Sequence, residues 1–218
     1  WEAAGAERGY IFPTVFSTPE LAGLMEYFGG EANTAYGAKR AARGHAVPWT
    51  SVFAQIHLEF GNEAWNSGGF PGAAIDNPTA YGNRGHELYA AARGSAYFNS
   101  SKFDLVLGGR AEEPNRNLTI HNAITNHDSV CVAPYFAWNV DADTNNEDLF
   151  GPLFAEPEML ETTGYMRQDF NALQSAGRPV PLAIYEVNVH TTRGAISQAA
   201  LAAFEPSLGA GLAVADHM

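Results

Sequence analysis

The chain has 218 residues, 46% hydrophobic and 17% charged, with 24 acidic side chains against 12 basic ones and a formal net charge of −12. That composition supplies a sizeable core and argues against a disordered or repetitive chain, while the acidic balance disfavours nucleic acid and an anionic membrane face as partners. No run reaches the roughly 18 apolar residues of a membrane span, the opening Trp1-Glu2-Ala3-Ala4-Gly5 lacks a signal-peptide pattern, and the single Cys131 sits in an apolar run where a buried thiol is expected.

Residues 10–16 read as a short buried strand. Ser17 then offers a capping hydroxyl and Pro19 a first-turn proline, and Leu21, Leu24, Met25 and Phe28 recur at helical spacing, so a helix is expected up to Gly29-Gly30. A second helix is expected over 34–43, closed by Gly44, followed by a strand over 52–60. Helix 79–98 leads into strand 103–107, helix 117–126 into strand 129–136, and helix 156–176 into strand 180–187, with a last helix from about residue 195. The acid-rich stretch 139–153 has no apolar period and is expected as a solvated loop.

Five nearly continuous apolar strands, each followed by helix, imply a parallel sheet covered on both faces, either a (β/α) barrel or an open doubly wound sheet. Glycine-rich phosphate loops are missing and lysine occurs only at Lys39 and Lys102, which disfavours nucleotide binding. The histidines show no paired zinc spacing and there is no G-x-S-x-G elbow, so neither a metal site nor a serine nucleophile is expected.

Two strand ends carry the chemistry. The first is Leu58-Glu59-Phe60-Gly61-Asn62-Glu63-Ala64-Trp65-Asn66, and the second is Pro181-Leu182-Ala183-Ile184-Tyr185-Glu186-Val187-Asn188. A pair of carboxylates is what retaining sugar hydrolysis needs, one to protonate the leaving oxygen and one to attack the anomeric carbon. Glu63 fits the acid/base if an apolar wall such as Trp65 keeps it protonated; its plain alternative is a helix N-terminal acid. Glu186 fits the nucleophile; its alternative is a strand-end ion pair with Arg178 or Arg193. Asn62 fits a hydrogen bond to the sugar hydroxyl beside the reacting carbon, or else an ordinary turn. Trp65 and Trp138 offer flat faces for sugar rings, or core packing. Asn188 and His190 follow Glu186 at alternate positions and either join the same mouth or cap the loop. Glu59 shares parity with Glu63 and reads as structural.

These two segments, with Glu26-Tyr27-Phe28, the run Arg40-Ala41-Ala42-Arg43-Gly44-His45, Pro48-Trp49 and Val132-Ala133-Pro134-Tyr135-Phe136, resemble clan A retaining glycoside hydrolases, most closely the family 51 α-L-arabinofuranosidases. The resemblance runs from about Tyr10 to the end. It implies a partial TIM (β/α)8 barrel comprising strands three to seven, a single catalytic domain over 1–218 cut from a longer protein at both ends, and no cofactor. It also implies that Tyr135 is the strand-six aromatic residue whose hydroxyl holds the nucleophile, and that the partner is a carbohydrate, a terminal α-L-arabinofuranosyl unit of a plant or algal polysaccharide. β-Xylosidase, β-glucuronidase and endo-glycanase activities, or a non-catalytic carbohydrate-binding barrel, stay open as alternatives, as do localisation and oligomeric state.

Overall fold

A computed structural model of the chain describes residues 7–69, 72–141 and 146–218. Five parallel strands alternate with helices: β1 (Arg8–Phe12), β2 (Ile56–Phe60), β3 (Phe103–Gly108), β4 (Ser129–Val132) and β5 (Leu182–Ile184). Their order in the sheet is the order in the chain. A doubly wound sheet reverses its strand order at a switch point, whereas a barrel does not, so the topology matches the barrel alternative. No helix among the described residues is long and apolar enough to cross a membrane.

The chain divides into two compact units, one of residues 1–109 and 115–130 and the other of 110–114 and 131–218. The first contains β1, β2 and β3 with α1 (Thr18–Gly29), α2 (Ala35–Ala42), α3 (Trp49–Val52), α4 (Pro78–Gly94) and most of α5 (Pro114–Asn122). Helix α1 starts where expected, in a capping box: Ser17 Oγ accepts the Glu20 N–H and Glu20 Oε2 accepts the Ser17 N–H at 2.8 Å. Its C-terminal end is tied down by Arg40, which has 0% exposure and donates to the carbonyls of Tyr27, Gly30, His45 and Ala46. Those bonds satisfy helix-end acceptors that burial would otherwise leave without water.

Strand alternation sorts the first unit's side chains. Leu58 is in register with Tyr10 and Leu105, and Phe60 with Phe12 and Leu107. These residues face the helices: Phe28 meets Tyr10 edge-on at 5.5 Å, and Tyr81 stacks on Phe60 at 4.9 Å. The opposite face carries Gly9, His57 and Asp104 in one row and Ile11, Glu59 and Val106 in the next. In the first row Asp104 Oδ2 lies 2.8 Å from His57 Nδ1, Ser129 Oγ donates to both Asp104 oxygens, and Glu7 Oε2 lies 3.1 Å from His57 Nε2.

The second unit is built from β5, α6 (Asn146–Thr162), α7 (Tyr165–Gln174), α8 (Gln198–Phe204) and α9 (Leu208–His217). Phe136, Leu153, Leu160, Met166, Phe204, Ala210 and Ala213 form its buried core.

Several element boundaries depart from the sequence expectation. β1 stops at Phe12 and β4 at Val132 because Pro13 and Pro134, lacking an N–H, end the ladders. Residues 49–52 form the one-turn helix α3 behind Pro48, so β2 is shorter than 52–60. α4 stops at Gly94 instead of 98, and the strand expected over 180–187 is only Leu182–Ile184. The helix expected over 156–176 is two helices. It starts ten residues earlier, inside the expected loop, and breaks at Gly164, where a Cβ would stand 2.7 Å from Leu160 Cα. The last helix is likewise two, α8 and α9, parted by Pro206. Residues 142–145 of the expected loop lie outside the described residues.

His57 gives the fold a pH signature. Its hydrogen bond to Asp104 raises its pKa above the ordinary value; burial opposes this, and Glu7 adds to it. A pKa raised by folding stabilises the protein fully below the unfolded value of about 6.5, and the contribution is lost as pH rises through the folded value. In urea titrations the stability advantage of wild type over His57→Gln should therefore be largest near pH 6 and shrink towards pH 9. A difference that stays flat across that range would remove His57 as its source.

Candidate active site

The first candidate acid lies in the turn that leaves β2. Gly61 has φ +69, and a Cβ there would come within 2.5 Å of Thr14 Cγ2, so only glycine fits. Its N–H donates to the Phe12 carbonyl at 2.9 Å, prolonging the β1–β2 pairing by one rung. Two residues later Glu63 itself has φ +43, a left-handed conformation rare for a side chain of this kind. The turn is closed by the Asn66 N–H on the Glu63 carbonyl at 2.7 Å. The Asn66 side chain then holds both sides of the loop: Nδ2 donates to Glu63 Oε2 at 2.9 Å and Oδ1 accepts the Gly69 N–H at 2.8 Å. Asn62, Glu63 and Trp65 are all half-buried in this loop. The expected parity between Glu59 and Glu63 does not survive the turn at Gly61. Glu59 stays in the strand with 6% exposure, and its Oε1 is the atom a Cβ on Gly108 would meet at 3.2 Å.

Helix α4 fixes the strand end from which this loop departs. The Tyr81 hydroxyl donates to the Phe60 carbonyl and accepts the Gly108 N–H at 2.9 Å, joining the ends of β2 and β3. About two turns further along, the Tyr89 hydroxyl lies against the carbonyls of Leu58 and Val106.

The second unit holds the other predicted residues. After β4 the chain runs beside the segment that follows β5, with parallel bridges from Phe136 to Val189 and from Asn139 to Arg193. This pairing assembles three predicted rings. His190 stacks on Tyr135 at 4.8 Å and 23°, Trp138 meets His190 at 4.2 Å, and Arg193 lies over the Trp138 ring at 5.3 Å. The Tyr135 carbonyl accepts from Trp138 Nε1 at 3.0 Å and from the Tyr165 hydroxyl. Burial raises the Tyr165 pKa, with Glu112 adding to it, so this hydroxyl stays a proton donor throughout the ordinary pH range. Glu186 is exposed, two residues beyond β5, and Asn188 is exposed with its Oδ1 on the Val189 N–H.

The structure thus places Asn62, Glu63 and Trp65 in one loop and Tyr135, Trp138 and His190 in one ring cluster. Sequence reasoning missed Asn66 as the partner of Glu63, although its position three residues on, the spacing of a tight turn, was the available signal. It also missed Tyr165, which only the packing of α7 brings to Tyr135. Among the described residues no cluster of three or more His, Cys, Asp or Glu is placed to hold a metal ion. A cavity of about 750 Å3 is lined by Tyr10, Tyr27, Phe28, Trp49 and Phe53 among others, and none of the expected site residues lines it. Its Tyr10 belongs to the helix-covered face of β1.

Neither a family model nor a curated protein matches the sequence. Solved structures share its fold. An α-L-arabinofuranosidase from Thermotoga maritima, solved with arabinose, aligns over 81% of this chain with a TM-score of 0.53 and 18% identity. A family 51 α-L-arabinofuranosidase from Bifidobacterium longum aligns over 81% with a TM-score of 0.60 and 17% identity, and one from Xanthomonas axonopodis over 81% with 0.52 and 15%. The likeness is one of fold. The chain spans about a third of the length of these enzymes, 33%, 34% and 35% respectively.

The tyrosine bridge at the strand ends is testable. Tyr81→Phe keeps the ring stacked on Phe60 but strips the buried Gly108 N–H and Phe60 carbonyl of their partner, at an expected cost of about 1–3 kcal/mol in urea unfolding. Amide exchange at Gly108 should accelerate with it. Wild-type stability and protection in this variant would show that the hydroxyl does not secure the strand ends.

Proposed function

We propose that this chain is the central part of a retaining glycoside hydrolase acting on α-L-arabinofuranosyl units, with Glu63 as general acid/base and Glu186 as nucleophile. The observation that carries the reading is the placement of each acid just past the C-terminal end of a parallel strand, the end at which (β/α) barrels build their sites. The fold likeness to family 51 arabinofuranosidases supports the choice of sugar. In this reading the Glu186 carboxylate attacks the anomeric carbon while Glu63 gives its proton to the departing glycosidic oxygen, and a glycosyl ester forms on Glu186. Glu63, now a carboxylate, takes a proton from water, the resulting hydroxide attacks the same carbon, and Glu186 is released.

The supporting residues have matching chemistry. Asn66 donates to Glu63 Oε2, a bond that holds the carboxyl in one orientation through both proton transfers. Asn62 has both an amide donor and an acceptor for the hydroxyl next to the reacting carbon. Tyr135, Trp138 and His190 supply ring faces and edges against which a sugar packs.

The test uses the longest polypeptide that carries this chain. With an arabinofuranosyl fluoride bearing fluorine at C2, which slows both steps but spares the first more, peptide mass mapping should find one sugar esterified to Glu186, and Glu186→Ala should abolish the label. Glu63→Ala should lose about 10²–10⁴-fold on substrates with poor leaving groups and much less on activated aryl glycosides. In a crystal structure the two carboxyl groups should stand about 5–5.5 Å apart. Sugar binding without turnover or label would instead make the protein a carbohydrate-binding barrel.

A further inference from the structure

We propose that Glu156 is a positioning residue, whose carboxylate on α6 clamps Ala137 in a left-handed conformation and so sets the Tyr135–Trp138–His190 ring cluster. The claim that this cluster holds a sugar rests on the function proposed above; the clamp itself rests on geometry alone.

Ala137 has φ +57 and 7% exposure, between Phe136, which is fully buried, and Trp138, which is half-buried. An L-residue with a Cβ is strained there, and such strain persists only where neighbouring contacts impose it. The turn also points the Ala137 N–H away from the strand ladder into the interior, where a donor without a partner is costly. Glu156 Oε2 accepts that N–H at 2.8 Å, from a helix 19 residues further on. A charged acceptor makes one of the stronger hydrogen bonds available to a backbone amide.

Everything on either side of Ala137 depends on that turn. On one side, the Tyr135 carbonyl is held by Trp138 Nε1 and the Tyr165 hydroxyl. On the other, the Trp138 carbonyl accepts the Arg193 N–H at 2.9 Å, and the Phe136 carbonyl accepts the His190 N–H at 2.8 Å. Rotating residue 137 out of the left-handed region would redirect Trp138 relative to Tyr135 and break the register that brings His190 between them. Glu156 reaches the cluster through a backbone bond, which makes it a positioning residue and not a catalytic one.

The experiment is a cycle of Glu156→Ala, Glu156→Gln, Ala137→Gly and the double variant Glu156→Ala with Ala137→Gly. The readouts are the Trp138 indole N–H resonance, assigned by Trp138→Phe, urea stability, and KM and kcat on an aryl arabinofuranoside. Glycine adopts positive φ without strain, so it should make the clamp dispensable. Glu156→Ala is expected to move the Trp138 resonance and raise KM about tenfold with kcat within about twofold, the mark of lost uniform binding. Glu156→Gln should stay within about threefold, since its amide oxygen can accept the same N–H. The double variant should return to within about twofold of Ala137→Gly alone, by the coupling expected of groups in contact. Should Glu156→Ala not fold, the double variant should restore folding. The proposal is overturned by an unmoved Trp138 resonance in Glu156→Ala, by a stability loss with no change in KM, or by a double variant as impaired as Glu156→Ala. If wild type neither turns over nor binds the sugar, the hydrolase reading fails, and the clamp stands or falls on the Trp138 resonance in the same four proteins.

Discussion

Hydrogen bonds from α4 tyrosines to strand carbonyls fix the strand ends from which the Glu63 loop departs. Tyr89 sits against the middle of β2 and β3, and Tyr81 joins their ends, each ring stacked or edge-on to Phe60 while its hydroxyl reaches past it. A parallel ladder has slanted bonds and weaker pairing than an antiparallel one. Its last residues are therefore the place where the chain would fray, and here they are pinned from the helix layer. Gly61 can then leave the strand in one direction only, past Thr14, and deliver Asn62 and Glu63 to a defined place.

The two ends of the same strands divide the labour. At the strand starts His57, Asp104, Ser129 and Glu7 satisfy one another in a closed network, which suits stability. At the strand ends the polar side chains are held from below and left half-buried above. Conserving structure at one end and exposing chemistry at the other is the general arrangement of parallel barrels. The ordering follows from chain direction, because loops after parallel strands all leave from the same edge.

Much of this was legible in the sequence, and the failures have physical causes. The centres of all five strands were visible as apolar runs; β2, β3 and β4 are buried on almost every side, while β1 and β5 are partly exposed. Their ends were overrun wherever burial continued after the ladder stopped: Ala133 and Phe136 are as buried as β4 itself, yet Pro134 has already broken the pairing. The α6 start was hidden because acids and asparagines dominate its first turn, and its interior contains Pro152 and Pro157, which read as loop. Glu63 and Glu186 could be found as acids at strand ends. Tyr165 and Glu156 could not, since they reach the Tyr135 carbonyl and the Ala137 N–H through helix packing that no local period reports.

The backbone offers an independent pointer to the same places. Among the described residues, the non-glycine positions with positive φ are Glu63 and Ala137. Both follow a strand within a few residues, and both have an amide or carboxylate side chain applied to the turn: Asn66 at Glu63 and Glu156 at Ala137. If these turns served only to reverse the chain, glycine would do so without strain, as it does at Gly44 and Gly194. At residue 63 glycine would forfeit the carboxylate, so strain there is the cost of placing an acid at the tightest point of the loop. At residue 137 no side-chain chemistry is at stake, and what alanine adds over glycine is rigidity. A glycine would adopt the turn without strain but give up more backbone entropy in doing so. The left-handed alanine and its carboxylate partner therefore make sense together, as a strained residue and the bond that selects its strained form, between Tyr135 and Trp138, which both pack on His190.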